Sequence, residues 1–165
     1  MPNLIMMVGN IGSGKSTLVK QLTKQGYMVI SRDALRYMFG GGEYLFDVDL
    51  EPEVFKLEKY ALKLLSDFTY DIIIDETNMS AIGRKRYFDI VKDQGYTKTA
   101  IVMPKFSKIE SVERRMEANH GNGTAIVWGE VWERFNNVYV EPTKNEGFDK
   151  IIFYKEGQDE TLRNL

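Results

Sequence analysis

The strongest constraint on this chain is a glycine-rich segment that lies between a short apolar run and a helical pattern. Residues 9–17 read Gly-Asn-Ile-Gly-Ser-Gly-Lys-Ser-Thr, which matches the spacing G-x-x-x-x-G-K-[ST]. The apolar residues 4–8 before it have the length of a buried strand, and a helix-like pattern begins at residue 15. In that context the backbone N–H groups of the segment wrap around phosphates. The sequence therefore predicts a phosphate-binding loop, or P-loop, at the end of the first strand.

Each position of this loop has a predicted task. Lys15 is expected to reach the β- and γ-phosphates of a nucleotide, and the Ser16 hydroxyl is expected to bind Mg²⁺. Asp75 follows the apolar run 72–74 directly, which is typical of the acidic residue that also holds the magnesium. ATP and Mg²⁺ are therefore the expected cofactors. The residues predicted to bind the nucleotide are Gly9, Gly12, Ser13, Gly14, Lys15, Ser16 and Thr17.

Apolar runs and helical patterns alternate along the chain of 165 residues. The predicted strands are 4–8, 28–30, 72–74, 99–103 and 151–154, and the longer predicted helices are 15–24, 52–68, 80–94, 109–119 and 125–138. This alternation predicts an α/β three-layer sandwich with a mainly parallel five-stranded sheet. We expect one domain, with a helical lid over approximately residues 107–138. The predicted buried face of the helix 52–68 consists of Val54, Leu57, Ala61, Leu64, Leu65 and Phe68.

Composition excludes several kinds of site. The chain has no cysteine and one histidine, His120, so a disulfide framework, a thiol nucleophile and a zinc site built on cysteine or histidine are excluded. No apolar run approaches the roughly 20 residues that cross a bilayer, so no membrane partner is expected, and a reducing cytoplasm fits best. With 22 basic and 24 acidic residues, any nucleic acid must be held by local basic patches.

A second segment points to an acceptor for a transferred phosphate. The strand 28–30 leads into Ser31-Arg32-Asp33-Ala34-Leu35-Arg36 at the same edge of the sheet as the P-loop. A carboxylate such as Asp33 can take the proton of an acceptor hydroxyl, and Arg36, one helical turn later, can fork onto an acceptor phosphate. Alternatively, Asp33 caps a short helix and Arg36 is a solvated charge. The spacing alone leaves both interpretations open.

The order of these motifs resembles the polynucleotide kinase-like P-loop kinases, the family of the phage-type polynucleotide 5′-hydroxyl kinases. The likeness runs from the P-loop to Pro142-x-x-x-Glu146-Gly147-Phe148-Asp149 and covers the kinase domain only. It implies transfer of the ATP γ-phosphate to a 5′-hydroxyl of a nucleic acid or oligonucleotide, with Asp33 as the general base. It also implies that Arg36 holds the 3′-phosphate of the acceptor nucleotide. Asp75 and Glu76 are alternative carriers of the family's acidic role, and the other residues expected along the acceptor site are Arg32, Thr77 and Asn78.

The lid is expected to supply a cation for the transferring phosphate. The candidates are Arg114, Arg115 and His120, and the family's usual Arg-x-x-x-Arg pattern is absent here. Arg115 lies closer than Arg114 to the apolar stripe of the predicted helix, so Arg115 is the predicted catalytic residue of the lid. His120 is the alternative, although at the helix end it is more simply a capping residue.

Two other kinds of function stay open. A kinase for a nucleoside, sugar or similar small alcohol would keep Asp33 but would not need Arg36. An NTP-dependent switch that transfers nothing would not need Asp33. The run Arg84-Lys85-Arg86 is interpreted as a solvated helix face, with contact to a phosphodiester as the alternative.

Overall fold

The predicted alternation corresponds to a five-stranded sheet in which every pairing is parallel. A computed structural model describes residues 1–118, 123–155, 157 and 162. The strands are β1 (Asn3–Val8), β2 (Met28–Ile30), β3 (Ile72–Ile74), β4 (Thr97–Val102) and β5 (Lys150–Phe153). Their order across the sheet is β2-β3-β1-β4-β5, so β1 lies at the centre. The C-terminal ends of the parallel strands therefore meet at one edge, where the loops gather.

Six α-helices connect and cover these strands in the described part of the chain. They are α1 (Lys15–Leu22), α2 (Arg32–Phe39), α3 (Glu51–Asp67), α4 (Ala81–Ile90), α5 (Lys108–Glu117) and α6 (Ala125–Asn137). Short 3₁₀ turns follow α1 at Thr23–Gln25 and precede β5 at Lys144–Glu146. The predicted fold class is confirmed, and most boundaries differ from the predicted ones by one to four residues.

The period-two pattern of β1 sends alternate side chains into two cores. On one face, Leu4, Met6 and Val8 share a buried cluster with residues of α3 and α4. On the other, Ile5 and Met7 pack with apolar residues of α1. Both clusters are almost inaccessible to solvent. Because β1 packs on both faces, its position between the helical layers is fixed, and so is the position of the loop that follows it.

The predicted buried face of α3 is partly wrong. Val54 is buried, but Leu57, Leu64 and Phe68 are exposed by 38%, 46% and 67%. The buried residues of the helix are Val54, Glu58, Leu62 and Ser66, which lie four residues apart. A search for apolar residues alone misses this stripe, because two of its members are polar.

The lid consists of α5 and α6, which pack against each other. The Trp132 carbonyl of α6 accepts a hydrogen bond from Asn10 Nδ2 in the P-loop at 3.0 Å. No helix in the described ranges is both long and apolar enough to span a membrane.

Candidate active site

The P-loop folds closely against the lid. Gly12 has a φ of +67° and Gly14 a φ of +90°, a left-handed conformation that glycine adopts without steric cost. A Cβ atom on Gly12 would lie 2.3 Å from the Ser111 carbonyl oxygen of α5. Glycine at position 12 therefore serves the turn and also the close approach of α5.

Lys15 is the first residue of α1, and its side chain curls back over the loop. Its ammonium group donates to the carbonyl oxygens of Gly9 at 2.9 Å and Asn10 at 2.8 Å. Burial lowers the pKa of Lys15 to about 8, partly offset by the negative charge of Asp75. Its ammonium is thus held inside the loop by neutral carbonyl groups, which a phosphate would replace with full negative charge.

The two predicted magnesium ligands lie together. The Ser16 hydroxyl donates a hydrogen bond to Asp75 Oδ2 at 3.0 Å. Burial raises the pKa of the Asp75 carboxyl, and Lys15 opposes the rise. A hydroxyl and a carboxylate are the hard oxygen donors that Mg²⁺ prefers, so these residues fit the ion. Among the described residues there is no cluster of three or more histidine, cysteine or carboxylate side chains that could hold a metal without other ligands.

Asp33 lies in the first turn of α2 and is not the cap of that helix. The N-cap is Ser31, whose side chain accepts from the Ala34 N–H. The Asp33 carboxylate accepts from Arg36 Nη1 at 2.6 Å and from the Tyr44 hydroxyl at 3.1 Å. Burial alone would raise its pKa, but the charges of Arg115 and Arg36 hold the pKa below its ordinary value. With 40% of its side chain exposed, this ionised carboxylate can still meet an acceptor.

Arg36 is already held by carboxylates. Its Nε and Nη2 donate to the two oxygens of Glu51 at 2.8 and 2.6 Å, and Nη1 donates to Asp33. Only 11% of the Arg36 side chain is exposed. Glu51 opens helix α3, so this fork joins α3 to α2 beneath the predicted base.

A second arginine–carboxylate pair is formed by Arg32 and Glu76. Glu76 accepts from the Arg32 backbone N–H and from its Nη2, both at 2.6 Å. The Arg32 guanidinium also lies 3.5 Å from the buried Glu58 and 4.2 Å from the Phe55 ring centroid. Glu58 in turn accepts from the Tyr87 hydroxyl at 2.8 Å. Helices α2, α3 and α4 are thus connected to the loop that follows β3.

The loop that follows β3 is also held by hydrogen bonds that involve β1, α4 and the turn before β5. Asn78 has a φ of +48°, and its side-chain amide donates to the Met7 carbonyl at 2.7 Å. The Asn78 carbonyl accepts from Arg84 Nη1 at 2.8 Å, and Arg84 forks onto both oxygens of Glu146. The prediction that Arg84 is solvated is wrong, because Arg84 is completely buried. Thr77, whose carbonyl accepts from the Gly9 N–H at 2.9 Å, joins the same loop to the P-loop.

Arg115 of α5 lies close to Asp33. Its Nη2 lies 3.7 Å from Asp33 Oδ2, and its guanidinium stacks 4.3 Å above the Trp128 ring. Its positive charge also depresses the pKa of Lys15, as expected for two cations near one site. Arg114 instead stacks on Phe106 at 4.1 Å. The alternative residue His120 lies outside the described residues.

Sequence reasoning missed the contacts that three residues make in the site. Glu51 and Glu58 were not singled out, because each is one carboxylate on a helix with many charges. Their position three or four residues from the buried Val54 is the available signal for Glu51 and Glu58. Tyr44 follows a glycine triplet, and nothing in the sequence shows that its hydroxyl reaches back to Asp33.

Comparisons with known proteins agree with this architecture. A family model described as an AAA domain (AAA_33) matches residues 4–142. The comparison with curated protein sequences gave no match.

Several solved structures share the fold. A chain of the Pnkp1/Rnl/Hen1 RNA repair complex is 22% identical with a TM-score of 0.68, and the match covers 90% of the present chain and 46% of that chain. Chaetomium thermophilum Kti12 in complex with ADP-AlF3 is 18% identical with a TM-score of 0.65, covering 96% and 92%. Mycobacterium tuberculosis APS kinase CysC in complex with AMPPNP and APS is 18% identical with a TM-score of 0.62, covering 99% and 94%. The present chain thus spans about half the length of the repair protein.

Proposed function

Because the chain belongs to the AAA domain family and has a P-loop kinase-like fold, we propose that it is an ATP-dependent phosphotransferase. It transfers the γ-phosphate to an alcohol, and the acceptor that its motifs favour is the 5′-hydroxyl of a nucleic acid or oligonucleotide. The observation that carries the proposal is the ionised, partly exposed Asp33 carboxylate beside Arg115. A switch that only hydrolyses NTP has no use for such a group.

The residues divide the chemistry among them. The P-loop N–H groups and Lys15 bind the phosphates and balance the charge that develops on the transferring group. The oxygen of the acceptor hydroxyl attacks the γ-phosphorus, and Asp33 accepts the proton of that hydroxyl. The bond between the γ-phosphorus and the oxygen of the β-phosphate breaks at the same time. Arg115 faces the same space from the lid and stabilises the transferring phosphoryl group.

Ser16 and Asp75 are the residues that would hold Mg²⁺. There the ion would supply positive charge that offsets part of the negative charge of the phosphates. Arg32 and Glu76 do not need to touch the acceptor for this scheme, because their mutual hydrogen bonds already fix the wall of the site.

A small-molecule kinase is the second candidate, and the Arg36–Glu51 fork favours it. An arginine that is neutralised by two carboxylates attracts a 3′-phosphate less than a free arginine does. The proposed 3′-phosphate contact therefore requires Arg36 to exchange Glu51 for the acceptor. Among the proteins with similar structures, one is an APS kinase and another is a gluconokinase.

The deciding experiment offers labelled ATP with a panel of acceptors: 5′-hydroxyl oligonucleotides, nucleoside 3′-monophosphates, nucleosides and small sugars. We expect label on the oligonucleotides, and loss of all transfer in Lys15→Ala and Ser16→Ala. A nucleoside 3′-monophosphate should be a better acceptor than the bare nucleoside if Arg36 binds the phosphate, and Arg36→Ala should remove that difference.

The outcomes separate the candidates. Label on nucleosides or sugars only would replace the polynucleotide proposal with the small-molecule kinase. Phosphate release without label on any acceptor would favour the switch. Full activity of Lys15→Ala would contradict the assigned role of the P-loop.

A further inference from the structure

Glu51 already binds Arg36, so other cations must contact the remaining phosphates of a nucleic acid acceptor. Asp33, Glu51 and Glu76 make this side of the site acidic, and Arg32 and Arg36 are neutralised within it. A polyanionic strand needs a local basic patch to approach such a surface.

A cleft lies directly beside this acidic group, between α3, α4 and the C-terminal end of α6. Its volume is about 230 Å³, and Arg32 and Thr77 form the wall nearest to the catalytic residues. Complete small ligands usually occupy roughly 300–1,000 Å³, so a cleft of this size suits one unit of a longer molecule. We call it the α3–α4–α6 cleft.

The lining of this cleft combines cations with aromatic rings. Lys59 of α3 and Arg86 of α4 line the cleft and are exposed. Neither side chain forms an ion pair or a hydrogen bond with another residue in the part of the chain that the structure describes. Phe55 and Phe135 contribute half-buried rings to the same cleft. Unpaired cations with accessible rings are the combination that binds single-stranded nucleic acid.

We propose that the α3–α4–α6 cleft binds the second nucleotide of a 5′-hydroxyl acceptor strand. Arg86 and Lys59 contact its phosphodiester, and the phenylalanine rings contact its base. Arg32 lines the cleft and directly precedes Asp33 in the chain. The first nucleotide therefore lies between the cleft and Asp33. This inference rests on the proposed function and extends it, because it assigns length recognition to residues outside the phosphotransfer site.

The test compares acceptors of different length. KM and kcat are measured for a nucleoside 3′-monophosphate and for a 5′-hydroxyl hexanucleotide, in the wild type, Arg86→Ala and Lys85→Ala. Lys85 is the matched control, since it is next to Arg86 on α4, pairs with Asp89 and does not line the cleft. We expect Arg86→Ala to raise KM for the hexanucleotide about fivefold and to leave kcat and the mononucleotide KM unchanged. Lys85→Ala should leave kcat and both KM values unchanged.

Salt dependence gives a readout that a folding defect does not mimic. Loss of one phosphate contact on a single strand should reduce the slope of log KM against log salt concentration by about 0.7 in Arg86→Ala. An Arg86→Ala enzyme with unchanged hexanucleotide KM, or with both KM values raised equally, would overturn the inference and leave the proposed function in place.

Failure of the proposed function is recognised separately. If the wild type labels no nucleic acid acceptor, binding of a fluorescent hexanucleotide is measured by anisotropy without ATP. Binding that Arg86→Ala weakens and Lys85→Ala does not would support the cleft as a nucleic acid site. No binding would overturn it.

Discussion

At the scale of single residues, the ionisation of the Asp33 carboxyl decides whether the site can accept a proton. Its carboxylate keeps two hydrogen-bond donors and a second arginine around it while 40% of the side chain remains exposed. Asp33→Asn keeps the shape but cannot accept the proton. We expect the rate of transfer to fall by ~10²- to 10⁴-fold with ATP affinity nearly unchanged, measured by single-turnover kinetics and calorimetry. Normal turnover in this variant would reduce Asp33 to a structural residue.

Arg115 is expected to act on the transferring phosphate. Arg115→Ala should lower the rate by ~10³-fold or more, the effect typical of an arginine in that role, while ATP still binds. Because Arg115 also depresses the pKa of Asp33, the acidic limb of the pH–rate profile should move to higher pH in this variant. A larger loss in Arg114→Ala than in Arg115→Ala would transfer the role to Arg114.

The residue scale is also where sequence reasoning succeeds and fails most clearly. The positions of Lys15, Ser16 and Asp75 at one edge of the sheet could be predicted, because each of these residues follows soon after a strand. The partners of Arg36 and Arg84 could not, because Glu51 and Glu146 lie 15 and 62 residues away in the chain. A charged run such as residues 84–86 reads as solvated until the fold shows that one member is completely buried.

At the scale of elements, the contact of the P-loop with α5 links nucleotide binding to the lid. Gly12→Ala would place a methyl group against the Ser111 carbonyl, whereas a Cβ on Gly26, which also has positive φ, would meet nothing within 4 Å. The strain of a left-handed alanine costs roughly 1–2 kcal/mol at either position. We expect urea unfolding to show a larger loss for Gly12→Ala than for Gly26→Ala.

Tryptophan fluorescence reports on the same contact. Both tryptophans of the chain lie in α6, and Trp132 Nε1 donates to the Ser111 hydroxyl at 3.1 Å. Displacement of α5 in Gly12→Ala should therefore change the emission spectrum of the folded protein, and Gly26→Ala should leave it unaltered. Equal stability losses and equal spectra would contradict a tight junction between loop and lid.

Helix α3 carries a buried carboxyl that makes stability depend on pH. Burial, reinforced by Glu76 and opposed by Arg32, raises the pKa of Glu58 from 4.5 to about 7. The folded protein holds this proton more tightly than the unfolded chain, so the contribution is complete below pH 4.5 and is lost as the pH rises through 7. Between pH 5 and 8, wild type should lose on the order of 2 kcal/mol of unfolding free energy relative to Glu58→Gln, measured by urea titration. Parallel pH curves would contradict this role of Glu58.

At the scale of the whole molecule, the strand order explains why the distant motifs meet. Because β1 lies between β3 and β4 and all strands are parallel, the P-loop, the α2 segment and the loop after β3 emerge at one edge. The alternation of strands and helices predicts this edge without any knowledge of side-chain contacts. It does not predict the ties across the molecule, since those depend on which charges the packing buries.

The ion pair between Arg84 and Glu146, which lie 62 residues apart in the chain, gives the last prediction. Arg84 is completely buried, whereas 16% of the Glu146 side chain is exposed. Glu146→Leu leaves a buried guanidinium without its carboxylate and should cost about 3–5 kcal/mol of unfolding free energy. Arg84→Met leaves a carboxylate that water can reach, so its loss should be smaller. The double variant should lose clearly less than the sum, although the contact with the Asn78 carbonyl is not restored. Urea unfolding of the four proteins measures this coupling, and additive losses would show that the pair stabilises nothing jointly.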